Sequence, residues 1–355
     1  MDRVILQQVS NNLFIALRIT VGVGLLLYLS FSGAIAWSAL AGLVRSWAVS
    51  LSALGLLLTM VGLTSWRLCL LLKARGLHLT LGSSVRLTLI GAYFNAFLPG
   101  ATGGDLVRVY YATKSNRGHR TEITTVILFD RLFGLFALMT LPLLIVALFP
   151  ELLRSTHTLR ILLWCAAAGC IATLLGLVIC LAGGVTMERV VLPLVQRLPL
   201  GQYIKRIYVT VHAYRENLGT LAGVIAISIT VHALLVIVML FLVHVTSSRG
   251  IEWSMAILIP FGLLANSLPI TPGGLGVGEM AFGKLFESAG LSGGVEALLG
   301  WRVLTMILGV PGLIFYLRGR HELLSYQESI APKKDALDLG TDPELVTVNS
   351  NTPSP

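Results

Sequence analysis

The sequence predicts an all-α membrane protein with about six full spans and two broken re-entrant hairpins, arranged as an inverted-topology repeat. Three observations predict it. The 355 residues are 55% hydrophobic and 12% charged, where soluble domains run at about 25% charged. Six apolar runs approach or exceed the roughly 20 residues that a span needs. A Leu-Pro-x-x-x-Gly-Gly motif occurs twice, as LPGATGG at 98–104 and as LPITPGG at 268–274.

The first run, Leu13–Phe31, is followed by Ala34-Ile35-Ala36, which has the form of a signal-peptide cleavage site. The run has full span length and contains Arg18, so an uncleaved first helix is expected. The second run is Ala48–Ser65, closed by Trp66-Arg67, a pair that reads first as an interface anchor. Two basic clusters then flank the first motif: Arg67, Lys73, Arg75 and Arg86 before it, and Arg108, Lys114, Arg117 and Arg120 after it. A single crossing would put one cluster outside, so Ser83 to about Tyr111 is expected to enter and return on one face, with Pro99-Gly100 near its tip.

The runs 124–149 and 161–182 follow as spans, joined by a loop with Arg154 and Arg160. Residues 186–219 are too polar to span. Within them Ile204, Ile207, Tyr208, Val211 and Tyr214 fall at helical spacing, which predicts an amphipathic helix on the cytoplasmic surface. The run 221–245 is the next span. Residues 253–290 carry a single basic residue, Lys284, and are interrupted by Pro269 and Pro272, which predicts a second re-entrant hairpin, opening outside. The run 295–317 is the last span, and the polar tail 327–355 is expected to be a disordered cytoplasmic segment. With both termini cytoplasmic, eighteen basic residues face inside and five outside, as the positive-inside rule requires.

The two motifs are 170 residues apart, and that offset also carries span 48–65 onto 218–235 and span 124–149 onto 294–319. The repeat halves are thus about 48–149 and 218–319, inside a single membrane domain of residues 1–320. Inverted repeats with broken helices mark many secondary transporters, whose substrate sites lie near the midplane. Irregular backbone persists at that depth only where protein buries it or water reaches it.

The expected substrate-facing set follows from these breaks. Asn95 enters the first, and Gly103 and Gly104 turn the chain into Asp105, placed to cap the next helix. The free N–H groups of that helix start, with Arg108 one turn on, form an anion site. The plain structural alternative is that Asp105 caps and Arg108 pairs with it. Asp130-Arg131 lies inside a span, where ionisable residues are functional candidates, and Arg131 pairing with Asp105 is the structural alternative. In the second half the matching set is Gly273, Gly274, Glu279 and Arg302, with a buried Glu279–Arg302 salt bridge as the alternative. His232 is expected to be a packed, hydrogen-bonded residue.

No chemistry beyond binding is expected. The net charge of +9 is accounted for by topology and not by nucleic acid. The four cysteines show no Cys-x-x-Cys pair, so neither a disulfide framework nor a metal site is expected. GGLGVGE lacks the Gly-Lys-Ser/Thr of a nucleotide loop. Catalytic residues, cofactors and metal are all expected to be absent.

FNAFLPGATGGDLVR, DRLFG and NSLPITPGGLGVGE together resemble the flippase-like membrane domain of bacterial lysylphosphatidylglycerol synthases and their stand-alone relatives, over about Arg3 to Arg320. The resemblance implies movement of a lipid between leaflets of the bacterial cytoplasmic membrane. The aminoacyl-transferring domain that follows in the synthases is not expected here, since only some 35 polar residues follow the last span, so aminoacylation is not expected. The expected function is a lipid flippase for a polar, anionic or phosphate-bearing lipid. Two alternatives stand beside it: a non-catalytic membrane partner of a lipid-modifying enzyme or glycosyltransferase, and a small-solute transporter. The sequence leaves oligomeric state open.

Overall fold

The structure is a computed structural model. It describes residues 44–97 (the loop before residue 47 included), 103–116, 119–151, 157–183, 201–246, 252–268 and 270–330, with a few isolated positions before residue 44. The expected first span and most of the tail, like Pro99 and Pro269, lie outside the described residues. The described residues are helical. In chain order they form α1 (Trp47–Lys73), α2 (Leu81–Phe97), α3 (Gly103–Ser115), α4 (Arg120–Leu148), α5 (His157–Ala182), α6 (Gly201–His212), α7 (Leu218–Thr246), α8 (Trp253–Asn266), α9 (Val277–Ser288) and α10 (Gly294–Ile330). A 3₁₀ turn at Ala213–Asn217 joins α6 to α7, and another at Pro272–Gly274 precedes α9.

The chain is a multi-pass, all-α membrane protein. Helices α1, α4, α5, α7 and α10 supply five segments long and apolar enough to cross a membrane. They coincide with the five expected spans after the first. Large apolar side chains on α5, among them Trp164, Ile171, Leu175 and Val178, are exposed. In water such a surface would be an association patch; in a bilayer it is what lipid covers. The four arms α2, α3, α8 and α9 are different. At about 1.5 Å per residue they are roughly 18–26 Å long, short of the ~30 Å hydrocarbon core. The arms of each pair pack on one another, α2 on α3 and α8 on α9.

The interior is built around α1, α4 and α7. Helix α7 packs along α1 and α4, α2 packs on α1 and α3, and α8 packs on α9, α4 and α7. Leu68, Leu71, Phe129, Phe133, Tyr214 and Val224 belong to one buried cluster. Tyr214 closes it by donating its hydroxyl to the Leu71 carbonyl at 2.9 Å. Of the stretch expected to be an amphipathic surface helix, Gly201–His212 forms α6, and Tyr208, Val211 and Tyr214 are buried in the protein. An apolar face can be covered by protein as well as by membrane, and periodicity alone does not distinguish the two.

The hairpin arms approach closely because glycines line their contacts. A Cβ on Gly104 would overlap the Gly91 carbonyl oxygen and stand 2.8 Å from the Asn95 side chain. Gly91 in turn leaves room for the stem of Arg108, 3.2 Å from where its Cβ would be. So Gly103 and Gly104 do not form a turn, as expected from sequence; they open α3, and the need at Gly104 is for close approach. Asp105 is accordingly not the cap but a residue of the first helical turn. In the second hairpin the turn is real: Gly273, Gly274 and Gly276 have φ of 58°, 71° and 79°, a region L-residues rarely enter. Pro272 opens the 3₁₀ turn there. A further seam joins α10 to α2, where Gly309 meets the backbone of Tyr93 and Gly312 that of Leu89. Helix α10 runs through residues 327–330, the start of the expected tail.

Candidate functional site

Each hairpin organises one set of charges. In the first, Asp130 of α4 is the hub, 3% exposed. Its Oδ1 accepts from Arg67 Nε at 2.6 Å, and its Oδ2 lies 3.9 Å from Arg108 Nη1. Arg67 is 5% exposed and also donates to Ser228 Oγ of α7 at 2.8 Å. Arg108 donates to Thr88 Oγ1 of α2 at 3.0 Å and lies 3.5 Å from Asp105 Oδ1. Arg131 Nε pairs with Asp105 Oδ2 at 3.2 Å. Three guanidinium groups thus share two carboxylates. Buried charges are tolerable only when paired in this way.

In the second hairpin Glu279 is fully buried, and its two oxygens are held on both sides. Oε1 accepts from Arg302 Nε at 2.7 Å, and Oε2 accepts from the Gly276 N–H at 2.8 Å and from Arg302 Nη2 at 3.3 Å. Arg302 also donates to the Gly273 carbonyl at 2.6 Å and to Asn266 Oδ1 at 2.8 Å. Its planar fork therefore pins the glycine turn to α8, α9 and α10 at once.

The hairpins share a further device. An asparagine on the incoming arm abuts a glycine on the outgoing arm. Asn95 Oδ1 accepts the Gly104 N–H at 2.8 Å. Asn266 lies against Gly274 and Gly278, where any Cβ would overlap it.

Between the two hairpins is a cavity of about 340 Å³. Asn95 and Arg131 line it from the first half, Asn266, Gly273 and Arg302 from the second, with Ser267, Trp301 and Thr305 beside them. Among the described residues, no aspartate or glutamate lines it. Of the sequence-derived set, Asn95, Arg131, Gly273 and Arg302 reach this cavity. Gly104, Asp105, Arg108, Asp130, Gly274 and Glu279 stand behind it as partners or close contacts. Gly103 only begins α3. Pro272 starts the turn, and Pro99 and Pro269 are outside the described residues.

Sequence reasoning missed four contributors. Arg67 is a buried partner of Asp130, whereas its neighbour Trp66 is half exposed. An arginine at the end of a hydrophobic run reads as an anchor, and only the length of α1, which continues to Lys73, buries it. Thr88 and Ser228 are hydroxyls in apolar helices with no local signal. Asn266 had one: it stands three residues before Pro269, much as Asn95 stands four before Pro99. His232 behaves as expected, its Nδ1 2.8 Å from the Ser228 carbonyl. All four cysteines are free, and no cluster of possible metal ligands occurs among the described residues.

Comparison with known proteins gives one match. Residues 15–312 match the family model described as the lysylphosphatidylglycerol synthase TM region. No curated protein and no solved structure matches the chain.

Proposed function

Since this chain belongs to the lysylphosphatidylglycerol synthase TM-region family, a family of membrane proteins of lipid biosynthesis or transport, we propose that it is a flippase. It moves a polar, anionic or phosphate-bearing lipid between leaflets of the bacterial cytoplasmic membrane, and performs no chemistry of its own. The observation that carries this reading is the cavity between the two broken hairpins, lined by one arginine from each half. At about 340 Å³ it sits at the low end of the ~300–1,000 Å³ range of small-molecule pockets. That is room for a headgroup but not for two acyl chains, which would stay in lipid while the headgroup crosses.

The physical need is plain. A bare charge at the bilayer centre costs at least several kcal/mol. Arginine forks held in place before the ligand arrives replace its hydration without reorganising. The reading takes the short arms α2–α3 and α8–α9 as re-entrant from opposite faces, and the two halves as an inverted repeat that rocks about the cavity. Cytoplasmic termini, and membrane domain limits at about residues 1 and 320, belong to the same proposal.

Reconstitution tests it. Liposomes containing the purified protein are loaded in one leaflet with fluorescent lipids of different headgroups, and leaflet exchange is followed by dithionite quenching. Exchange of anionic lipids above protein-free liposomes is expected, and it should fall at least tenfold in Arg131→Ala. Exchange no faster than in protein-free liposomes, for every lipid tried with folded protein, would sink the reading.

A further inference from the structure

The two hairpins hold three carboxylates, and they are not held alike. Asp130 accepts a hydrogen bond of 2.6 Å from Arg67, and its side chain is 5% exposed. Glu279 is fully buried and accepts from Arg302 at 2.7 Å and from the Gly276 N–H at 2.8 Å. The described cations nearest Asp105 stand farther off, Arg131 Nε at 3.2 Å and Arg108 Nη1 at 3.5 Å, and its side chain is 20% exposed. Of the three carboxylates it is the most accessible, and its nearest partner is the most distant.

Its position makes that looseness consequential. Asp105 rides on α3, whereas Arg131 belongs to α4 and also lines the cavity. A displacement of the first hairpin against α4 therefore changes the Asp105–Arg131 distance, and so does an anion that draws Arg131 to itself. The charges that face Asp105 are Arg108 on its own helix and Arg131 and Asp130 on α4. Helix α2, which also packs on α3, brings Thr88 and Asn95 to this region. Its ionisable groups are Arg86 and Tyr93, and neither acts on Asp105. Burial favours the neutral form of a carboxyl, and a cation beside it favours the charged form. A carboxylate that loses one of its cations therefore gains affinity for a proton, and a second carboxylate nearby, here Asp130, adds to that tendency.

We propose that Asp105 is a proton-binding site, and that the proton taken up there crosses with the lipid, so that a pH gradient powers transport. The coupling rests on the flippase reading, whereas the proton site does not. In the empty protein the Asp105 carboxylate faces Arg131. When an anionic headgroup engages Arg131, the carboxylate takes a proton from solvent, an O–H bond forms on it, and Arg131 is left to the headgroup. When the headgroup departs on the other side, Arg131 returns, that O–H bond breaks and the proton goes back to solvent. A lipid with one negative charge and its proton are together neutral, so their joint passage takes no net charge across the bilayer centre.

The steady-state leaflet ratio tests the coupling. Liposomes with the purified protein and fluorescent phosphatidylglycerol, an anionic probe of constant charge near neutral pH, are held under a pH difference of one unit, with protein-free liposomes as the baseline. One proton carried per lipid should shift the leaflet ratio about tenfold toward the side to which protons run. Asp105→Asn should return the ratio to its value without a gradient, whatever its exchange rate. Glu122→Gln, at an exposed carboxylate paired with His119, should leave the shift in place. Lipid exchange in the unaltered protein with no response to the gradient overturns the coupling and leaves the flippase reading standing. A full response in folded Asp105→Asn overturns the assignment by placing the proton elsewhere. The proton site is read separately, by infrared difference spectra of the purified protein on acidification. Asp105→Glu, which keeps the carboxyl, should displace the C=O band of a newly protonated acid, and an undisplaced band overturns the site. That measurement still decides if Asp105→Asn does not fold. It also decides if no lipid exchanges at all, an outcome that would sink the flippase reading with the coupling and leave a displaced band as support for the proton site.

Discussion

Replacing Arg302 by lysine keeps the charge but removes the fork. Arg302 reaches three groups at once: the Glu279 carboxylate at 2.7 Å, the Gly273 carbonyl at 2.6 Å and Asn266 Oδ1 at 2.8 Å. A lysine ammonium is a single point, and at Glu279 it cannot also reach the other two. Two hydrogen bonds from a charged donor are then lost, each worth about 1.5–3 kcal/mol, so about 3 kcal/mol or more of stability should go. That is at least a hundredfold in the folded-to-unfolded ratio. The assay is SDS-induced unfolding of the purified protein in mixed micelles, followed by tryptophan fluorescence. A second arm uses Arg302→Met, which strands a carboxylate that is 0% exposed and should cost about 3–5 kcal/mol. Adding Glu279→Met removes the stranded charge and should recover much of the loss. Arg302→Lys within 0.5 kcal/mol of the parent, or a double variant no more stable than Arg302→Met, would refute the view that this fork pins the second hairpin.

Other outcomes follow from the same geometry. Gly104→Val should lower folded yield sharply because its side chain would overlap Gly91 and Asn95, while Gly55→Val, at a site with nothing within 4 Å, should not; equal yields would show that the arms can separate. Asp130→Asn should destabilise more than Arg131→Ala, since Asp130 is buried between two arginines and the Arg131 side chain is 32% exposed; unfolding midpoints compare them. Tyr214→Phe should cost about 1 kcal/mol through loss of the bond to Leu71, read in the same titration. Single-cysteine labelling at Ser115 should be blocked from outside intact cells, and strong outside labelling would overturn the proposed re-entrant path.

How much of this was legible from sequence depends on the kind of signal. The five described spans were, because a long apolar run has no other common explanation. The turn that opens the second pair of short helices was too, because Pro272, Gly273 and Gly274 cluster there. The ion pairs Glu279–Arg302 and Asp105–Arg131 could be named because few charges lie in the membrane and each needs a partner. The identity of the hub could not: Asp130 takes Arg67 from a helix more than sixty residues away in sequence, a choice made by packing. Nor could the role of Gly104, since a glycine needed for contact and one needed for φ look alike in a sequence. The cavity itself was anticipated only as a place between halves. Trp301 enters it through helix rotation, which no motif records.

The glycine seam between α10 and α2 has a mechanical consequence. Gly309 and Gly312 set one backbone against another, with no side chain of α10 keyed into α2 at those points. Interlocked side chains act as detents: to pass one another they must change rotamer, and well-packed surfaces therefore sit in discrete positions. A smooth stretch has no such teeth. Along this seam, α10 with Arg302 can shift against the first hairpin with Asn95 by a fraction of a helical turn at little local cost. A methyl group at Gly312 would install a tooth against the Leu89 backbone.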